Sequence, residues 1–408
     1  MQQILNRYRA LGRNVKLALG AQYAVQSVNS AFFLLLNYYM SAEGYADYEV
    51  AEVLSYRFLA VFLLAFPLGL YIKGRRLRPF FWVAVLATGV LAHLLVWAVG
   101  VHYTTLVYVL AGLWGMGYLF VQVSILPYIL LNVPREQHSE AISLSFLSLG
   151  GTIFITGTLY TVLSPVSSWV TERSTIQLLA TLALLVGIWC LTQLPKEENT
   201  STPIPLRKVR TGYDWATILK ASIPSFLIAT GAGFTIPVIN LFFLHVHGVS
   251  SETFAAFGSA TWLLVIFVML LMPTIRRRFG YKVAITLFQS LAIVALFGLA
   301  ATEWLKPWAG AVWLAGFCYV ARQPLMSAAS PMASELVMYL VGERNQEIMA
   351  ALNASIWSGS WFVSTWLFSI LRQADWAYSS IFMFTVVLYV IGVSWYAYLI
   401  RVYERAAR

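Results

Sequence analysis

Apolar residues in this chain come in long unbroken runs, with short polar clusters between them. A helix needs about 20 predominantly apolar residues to cross the hydrocarbon of a bilayer. Twelve runs reach that length: 15–40, 49–72, 79–100, 103–132, 139–163, 175–194, 214–244, 253–275, 281–302, 308–340, 347–371 and 377–400. Backbone polar groups inside lipid must be satisfied within their own segment, which selects helices. The pattern predicts an all-α polytopic membrane protein with 12 transmembrane helices. The most polar stretch, 195–213, contains Pro195, Pro203 and Pro205 and shows no apolar periodicity. It reads as a linker between a six-helix bundle at 1–194 and a second at 214–408.

Composition agrees with that picture. Hydrophobic residues make up 60% and charged residues 11%, against about 25% charged in a soluble domain. Almost no chain is left over for a separate soluble domain. The net charge of +10 would admit a nucleic-acid partner were it not for its placement. Even-to-odd connections and the termini carry most of the basic residues, among them Arg75, Arg76, Arg78, Arg276, Arg277 and Arg278. The opposite connections hold only Arg173, Lys306 and Arg372. Positive loops stay cytoplasmic, so both termini are expected inside, with anionic lipid headgroups as partners and no nucleic acid. Cys190 and Cys318 fall inside predicted helices, and two such thiols build neither a disulfide framework nor a metal site. The first apolar run is followed by no small-residue cleavage site and reads as a retained helix.

The two halves repeat. Pro67-Leu-Gly-Leu-Tyr-Ile-Lys-Gly74-Arg-Arg after the second helix pairs with Pro273-Thr-Ile-Arg-Arg-Arg-Phe-Gly280-Tyr-Lys after the eighth, at an offset of 206. Val133-Pro-Arg-Glu-Gln and Val341-Gly-Glu-Arg-Asn pair at 208. Internal repeats with proline-broken helices mark secondary transporters; Pro127, Pro224, Pro237, Pro324 and Pro331 are the expected breaks. Twelve helices in a 6+6 repeat, a central linker and a Gly-Arg-Arg loop between helices two and three resemble the major facilitator superfamily. Tyr71 and Arg277 stand where that family's loop signature carries an acid. The fourth-helix arginine and fifth-helix Gly-Pro of its proton-driven drug antiporters are replaced by Trp114 and Gly150-Gly151. The resemblance implies a cavity lined by helices one, four, seven and ten.

Helical periodicity puts Gln22, Gln26, Asn29 and Asn37 on one stripe of the first helix and Trp114, Tyr118 and Gln122 on one row of the fourth. At the 208 offset that row matches Arg322, Met326 and Ser330 in the tenth; Asn353, Trp357 and Trp361 form a row in the eleventh, and Asn240 lies in the seventh. These stripes predict a wet cavity with flat aromatic walls, although polar stripes also serve simply to hydrogen-bond packed helices together. Arg322 is the sharpest signal. It lies about 21 Å from Trp308 at 1.5 Å per residue, and its nearest acid on the same helix, Glu335, is thirteen residues on. A charged residue at the centre of a membrane helix costs about 2.5–3.5 kcal/mol and marks function. It is expected to face the cavity on the same side as Met326 and Ser330; an ion pair with Glu52 is the alternative. Arg57, about 12 Å into the second helix, is a second interior cation. A guanidinium binds carboxylate or phosphate bidentately.

Proton coupling would fall to Glu52, Glu335 or His93, with Arg75, Arg76, Arg277 and Arg278 as gating residues; His245 and His247 read as solvated. No phosphate-cradling loop or metal motif is present in the sequence, so an enzyme is not expected, nor a cofactor. The expectation is a secondary-active transporter of a small organic solute, anionic or amphipathic, in a bacterial cytoplasmic (inner) membrane. It would act as a monomer, with a proton as candidate coupling ion. A drug or lipid exporter of the same fold is the alternative, and an intramembrane lipid-modifying enzyme the alternative of another class.

Overall fold

Every apolar run folds as a helix. The computed structural model describes residues 11–72, 75–134, 138–195, 214–342 and 345–406; most of the 195–213 linker, together with Lys73, Gly74, 135–137 and 343–344, lies outside these. Among the described residues, twelve helices follow one another. α1 runs over Arg13–Ala31 and continues through a wider π-type turn at Phe32–Leu36 into Asn37–Ala42. Then come α2 (Asp47–Ile72), α3 (Arg78–Gly100), α4 (Thr104–Asn132), α5 (His138–Leu163) and α6 (Glu172–Gln193). α7 is Trp215–Thr235, a 3₁₀ turn at Ile236–Val238, and Ile239–His247. α8 is Ser251–Tyr281, and α9 opens with a π-type turn at Lys282–Leu287 before Phe288–Ala301. α10 (Ala311–Val341), α11 (Gln346–Gln373) and α12 (Tyr378–Ala406) complete the chain.

Three expectations about local structure change. Among the five prolines expected to break helices, only Pro237 sits at a break; Pro127, Pro224, Pro324 and Pro331 ride inside continuous helices. A proline in a membrane helix is tolerated where neighbours satisfy the freed carbonyl. α10 begins at Ala311, three residues later than expected, because 302–310 forms turns instead; Arg322 is thus about 17 Å from its helix start. α8 runs on past Ile275 and is kinked at Gly280, whose φ of +75° and ψ of 179° suit a residue without a β-carbon.

The helices fall into two compact units, Met1–Gly44 with Tyr56–Lys208, and Tyr45–Ser55 with Val209–Arg408. The first turns of α2 therefore group with the second unit, which a division at 195–213 did not foresee. Packing partners repeat between the units. In the first, α3 packs on α4 and α6, and α1 on α4, α5 and α6; in the second, α9 packs on α10 and α12, and α7 on α10, α11 and α12. Small residues allow close approach of membrane helices. At the α3–α6 seam a β-carbon on Gly89 would fall 2.4 Å from Leu184, and one on Gly187 2.5 Å from Val85.

Nine of the helices, among the described residues, are long and apolar enough to cross a membrane. α1, α10 and α11 are the others, and they carry Gln22, Gln26 and Asn29, then Arg322 and Gln323, then Asn353.

Candidate functional site

In the first unit the expected polar stripe closes into a network. Asn29 Nδ2 donates to Gln26 Oε1 at 3.1 Å and to the Tyr118 hydroxyl at 3.2 Å, and that hydroxyl donates to Gln26 Oε1 at 3.1 Å. Arg57 Nη2 donates to Asn29 Oδ1. The guanidinium carbon lies 4.3 Å from the Trp114 ring centre and 5.8 Å from that of Tyr118. Trp114 and Tyr118 are nearly parallel, 5.5 Å apart, one helical turn from each other on α4. Thus Gln26, Asn29, Arg57, Trp114 and Tyr118, from three helices, meet at one place. Gln122, the next turn of the row, is exposed and hydrogen-bonds toward Tyr118. Asn37 is buried on the far side of the π-type turn.

Trp114 is not the open wall expected of it. It is fully buried, its indole N–H donates to the Thr88 carbonyl at 3.1 Å, and Phe32 covers it at 4.6 Å. It is a platform for the cation instead. Gly115, the next residue, makes that possible: a β-carbon there would sit 2.4 Å from the Arg57 carbonyl oxygen.

In the second unit Arg322 is completely enclosed, its residue exposure 0%. Nη2 donates to the Tyr389 hydroxyl of α12 at 2.9 Å, Nη1 donates to Gln323 Oε1 at 3.1 Å, and Nε has no hydrogen-bond partner. The expected row does not share one environment, since Met326 is half-buried and Ser330 exposed. The neighbouring row is the one that continues the polar contacts, Gln323 Nε2 donating to Ser327 Oγ at 3.2 Å. On α11, Trp357 and Trp361 are half-buried with ring centres 6.3 Å apart, and Asn353 Oδ1 is buried without a hydrogen bond. Asn240 is buried just past the α7 break, its side-chain oxygen accepting from the Leu241 N–H.

Both interior arginines share one property. Among the described residues, the partners of Arg57 are Asn29, Phe58, Trp114 and Tyr118, and those of Arg322 are Tyr319, Gln323 and Tyr389. All are neutral. Each guanidinium thus donates to neutral acceptors and lies against ring faces, with no carboxylate among its described partners.

The family model for the Major Facilitator Superfamily matches residues 17–365. The chain belongs to that superfamily. It is therefore an integral membrane transporter. Solved structures of the same fold include a bacterial homologue of the iron transporter ferroportin in an inward-facing state, at TM-score 0.73 and 13% identity over 96% of this chain and 99% of that one. The nucleoside transporter NupG aligns at TM-score 0.68 and 14% identity over 94% and 98%, and a D-xylose-proton symporter at 0.67 and 14% over 93% and 94%. At such identities the likeness is one of fold. No curated protein sequence matches the chain.

The remaining candidates of this superfamily member are dispersed. Glu335 on α10 pairs with Arg276 at 3.1 Å, and Arg276 also donates to the Tyr281 hydroxyl at 2.8 Å. His93 has both ring nitrogens engaged, by the Gly89 carbonyl at 2.9 Å and Thr181 Oγ1 at 3.0 Å, the arrangement of a histidine tying α3 to α6. Glu52 is half-buried, and Arg76 is exposed. The Arg75 guanidinium lies 4.0 Å from the Tyr71 ring centre and that of Arg278 5.3 Å from Phe279; the Arg277 side chain lies outside the described residues. His245 and His247, expected to be solvated, are partnered by Asp47 at 2.8 Å and Thr302 at 3.0 Å. Asp47, Gln323 and Tyr389 are polar partners that the sequence pattern did not single out.

Proposed function

We propose that this transporter moves a small organic anion by alternating access, with Arg57 as its principal contact. The observation that supports this is the guanidinium stacked on Trp114 and bonded to Asn29 with no carboxylate among its described partners. Placing an arginine in a membrane helix costs about 2.5–3.5 kcal/mol, and a carboxylate or phosphate ligand offsets that cost through charge-assisted hydrogen bonds. Gln122, exposed one turn beyond Tyr118, supplies a neutral donor beside it. Arg322 is closed off in this conformation and is available to the solute only in another, reached by movement of Tyr389. The charge asymmetry of the loops favours a bacterial cytoplasmic membrane with both termini inside.

The test is a thermal-unfolding screen of the purified protein against carboxylates, phosphate esters and their neutral amide or alcohol analogues. A stabilising ligand at 100 times its Kd contributes about 2.7 kcal/mol. Anions are expected to raise the melting temperature and their neutral analogues not to. Stabilisation by neutral and anionic members alike would overturn the anion reading.

A further inference from the structure

The second unit contains a cluster of ionisable side chains that the anion site does not use. Asp47, in the first turn of α2, is 7% exposed. Three groups converge on its carboxylate from the end of α7, the end of α11 and the start of α12. Oδ2 accepts from Arg372 Nη2 at 3.1 Å and from the Tyr378 hydroxyl at 2.5 Å. Oδ1 faces His245 Nδ1 at 2.8 Å. The Arg372 guanidinium also covers the Tyr378 ring at 4.3 Å and donates from Nη1 to the Trp376 carbonyl at 2.5 Å. The other charged groups nearby have partners of their own. Glu303 accepts from the Ser379 N–H at 2.5 Å, Glu49 accepts from the Ala46 N–H at 2.8 Å, and His247, which faces Lys306, bonds Thr302.

The charge count gives this cluster two states. With His245 neutral, Asp47 and Arg372 cancel. With His245 protonated, a second cation lies against Oδ1 while Arg372 and Tyr378 keep Oδ2. Of the side-chain types present, histidine is the one that ordinarily changes charge between pH 5 and 8. His245 is 39% exposed while Asp47 is not, so a proton reaches the ring without any rearrangement of the carboxylate. We propose that the Asp47–His245 pair is a proton-binding site, and that its occupancy sets how firmly the first turns of α2 are held. The consequence reaches the anion site through the helix. Tyr45–Ser55 group with the second unit and Tyr56 onward with the first, and Arg57 lies ten residues past Asp47, about 15 Å along α2. Proton occupancy thereby acts on the helix that carries the substrate cation. The role in coupling rests on the transport reading; proton binding itself does not.

Hydrogen exchange of the full-length protein in detergent, read over residues 47–56 and corrected for intrinsic rates, tests this without any flux. Wild type is expected to exchange at least about threefold more slowly at pH 5.5 than at pH 8. His245→Gln, which keeps a donor but does not titrate, is expected to lose that difference, as is Asp47→Asn. His247→Gln is expected to keep it. Pulsed labelling is confined to samples whose melting temperature and elution volume match wild type, and His245→Asn replaces any variant that fails this check. An unchanged pH difference in the His245 variants, or none in wild type, would overturn the proposal whether or not the anion reading stands.

Discussion

The Arg57 guanidinium keeps its place because the residue after its aromatic partner has no side chain. A β-carbon at position 115 meets backbone, the Arg57 carbonyl oxygen at 2.4 Å, and backbone cannot turn aside as a rotamer can. Gly115→Ala is therefore expected to push α2 off α4, with the 1–3 kcal/mol typical of overpacking. It should also abolish the anion-dependent rise in melting temperature; a variant that unfolds and binds like wild type would show that the contact yields. Tyr389→Phe removes the hydroxyl that Arg322 Nη2 uses and leaves that donor buried, which costs about 1–3 kcal/mol, read as a lower midpoint in chemical or thermal unfolding. Arg57 and Arg322 were legible in the sequence because charge inside an apolar run is conspicuous. Asp47 was not, since it falls two residues before the run at 49–72 and looks like a solvated loop acid. Its partners Arg372 and Tyr378 lie 325 and 331 positions away, and no local pattern records such a contact.

At the scale of elements, apolar periodicity located all twelve helices, because membrane length and backbone satisfaction leave little freedom. It misplaced what interrupts them. α1 and α9 depart from regular helix at π-type turns without proline, which composition does not announce, while four prolines bend nothing out of helical register. α7 begins with a titratable cap: Thr217 N–H donates to Asp214 Oδ1 at 3.1 Å and its hydroxyl to Oδ2 at 2.6 Å. The side-chain hydrogen bond from Thr217 is the main cause holding the Asp214 carboxyl below its ordinary value, followed by the backbone bond. A depressed carboxyl contributes stability above its unfolded pKa and loses it as pH falls through the folded one. The first turn of α7 should thus stay protected at neutral pH and fray only below the ordinary aspartate value of about 3.9. Hydrogen exchange across 214–218 checks this, with Asp214→Asn expected to remove the acid-induced step while retaining a cap. A step that survives in Asp214→Asn belongs to another group.

For the whole molecule, the repeat read from two loop pairs at offsets of 206 and 208 reappears in which helices pack on which within each unit. The sequence did not convey that the first turns of α2 would group with the second unit, because such grouping depends on contacts between residues far apart in the chain, such as those of Asp47 with His245, Arg372 and Tyr378. Charge placement predicts the orientation, with both termini inside. A cysteine introduced at Thr200 or Arg278 is expected to react only with cytoplasmic reagents and one at Ser250 only from outside, in a background with Cys190 and Cys318 replaced. Labelling of Thr200 from outside would reverse that topology. The central claim is that Arg57 receives the solute's negative charge, and it is met most directly by counterflow in proteoliposomes. The tracer is the anion that most stabilises the wild-type protein, compared for wild type, Arg57→Lys and Arg57→Gln. Arg57→Lys keeps the charge but loses the planar fork and should transport with a KM raised about tenfold; Arg57→Gln should fall to the level of empty liposomes while melting as a folded protein. Counterflow by Arg57→Gln at the wild-type rate and KM would contradict the account.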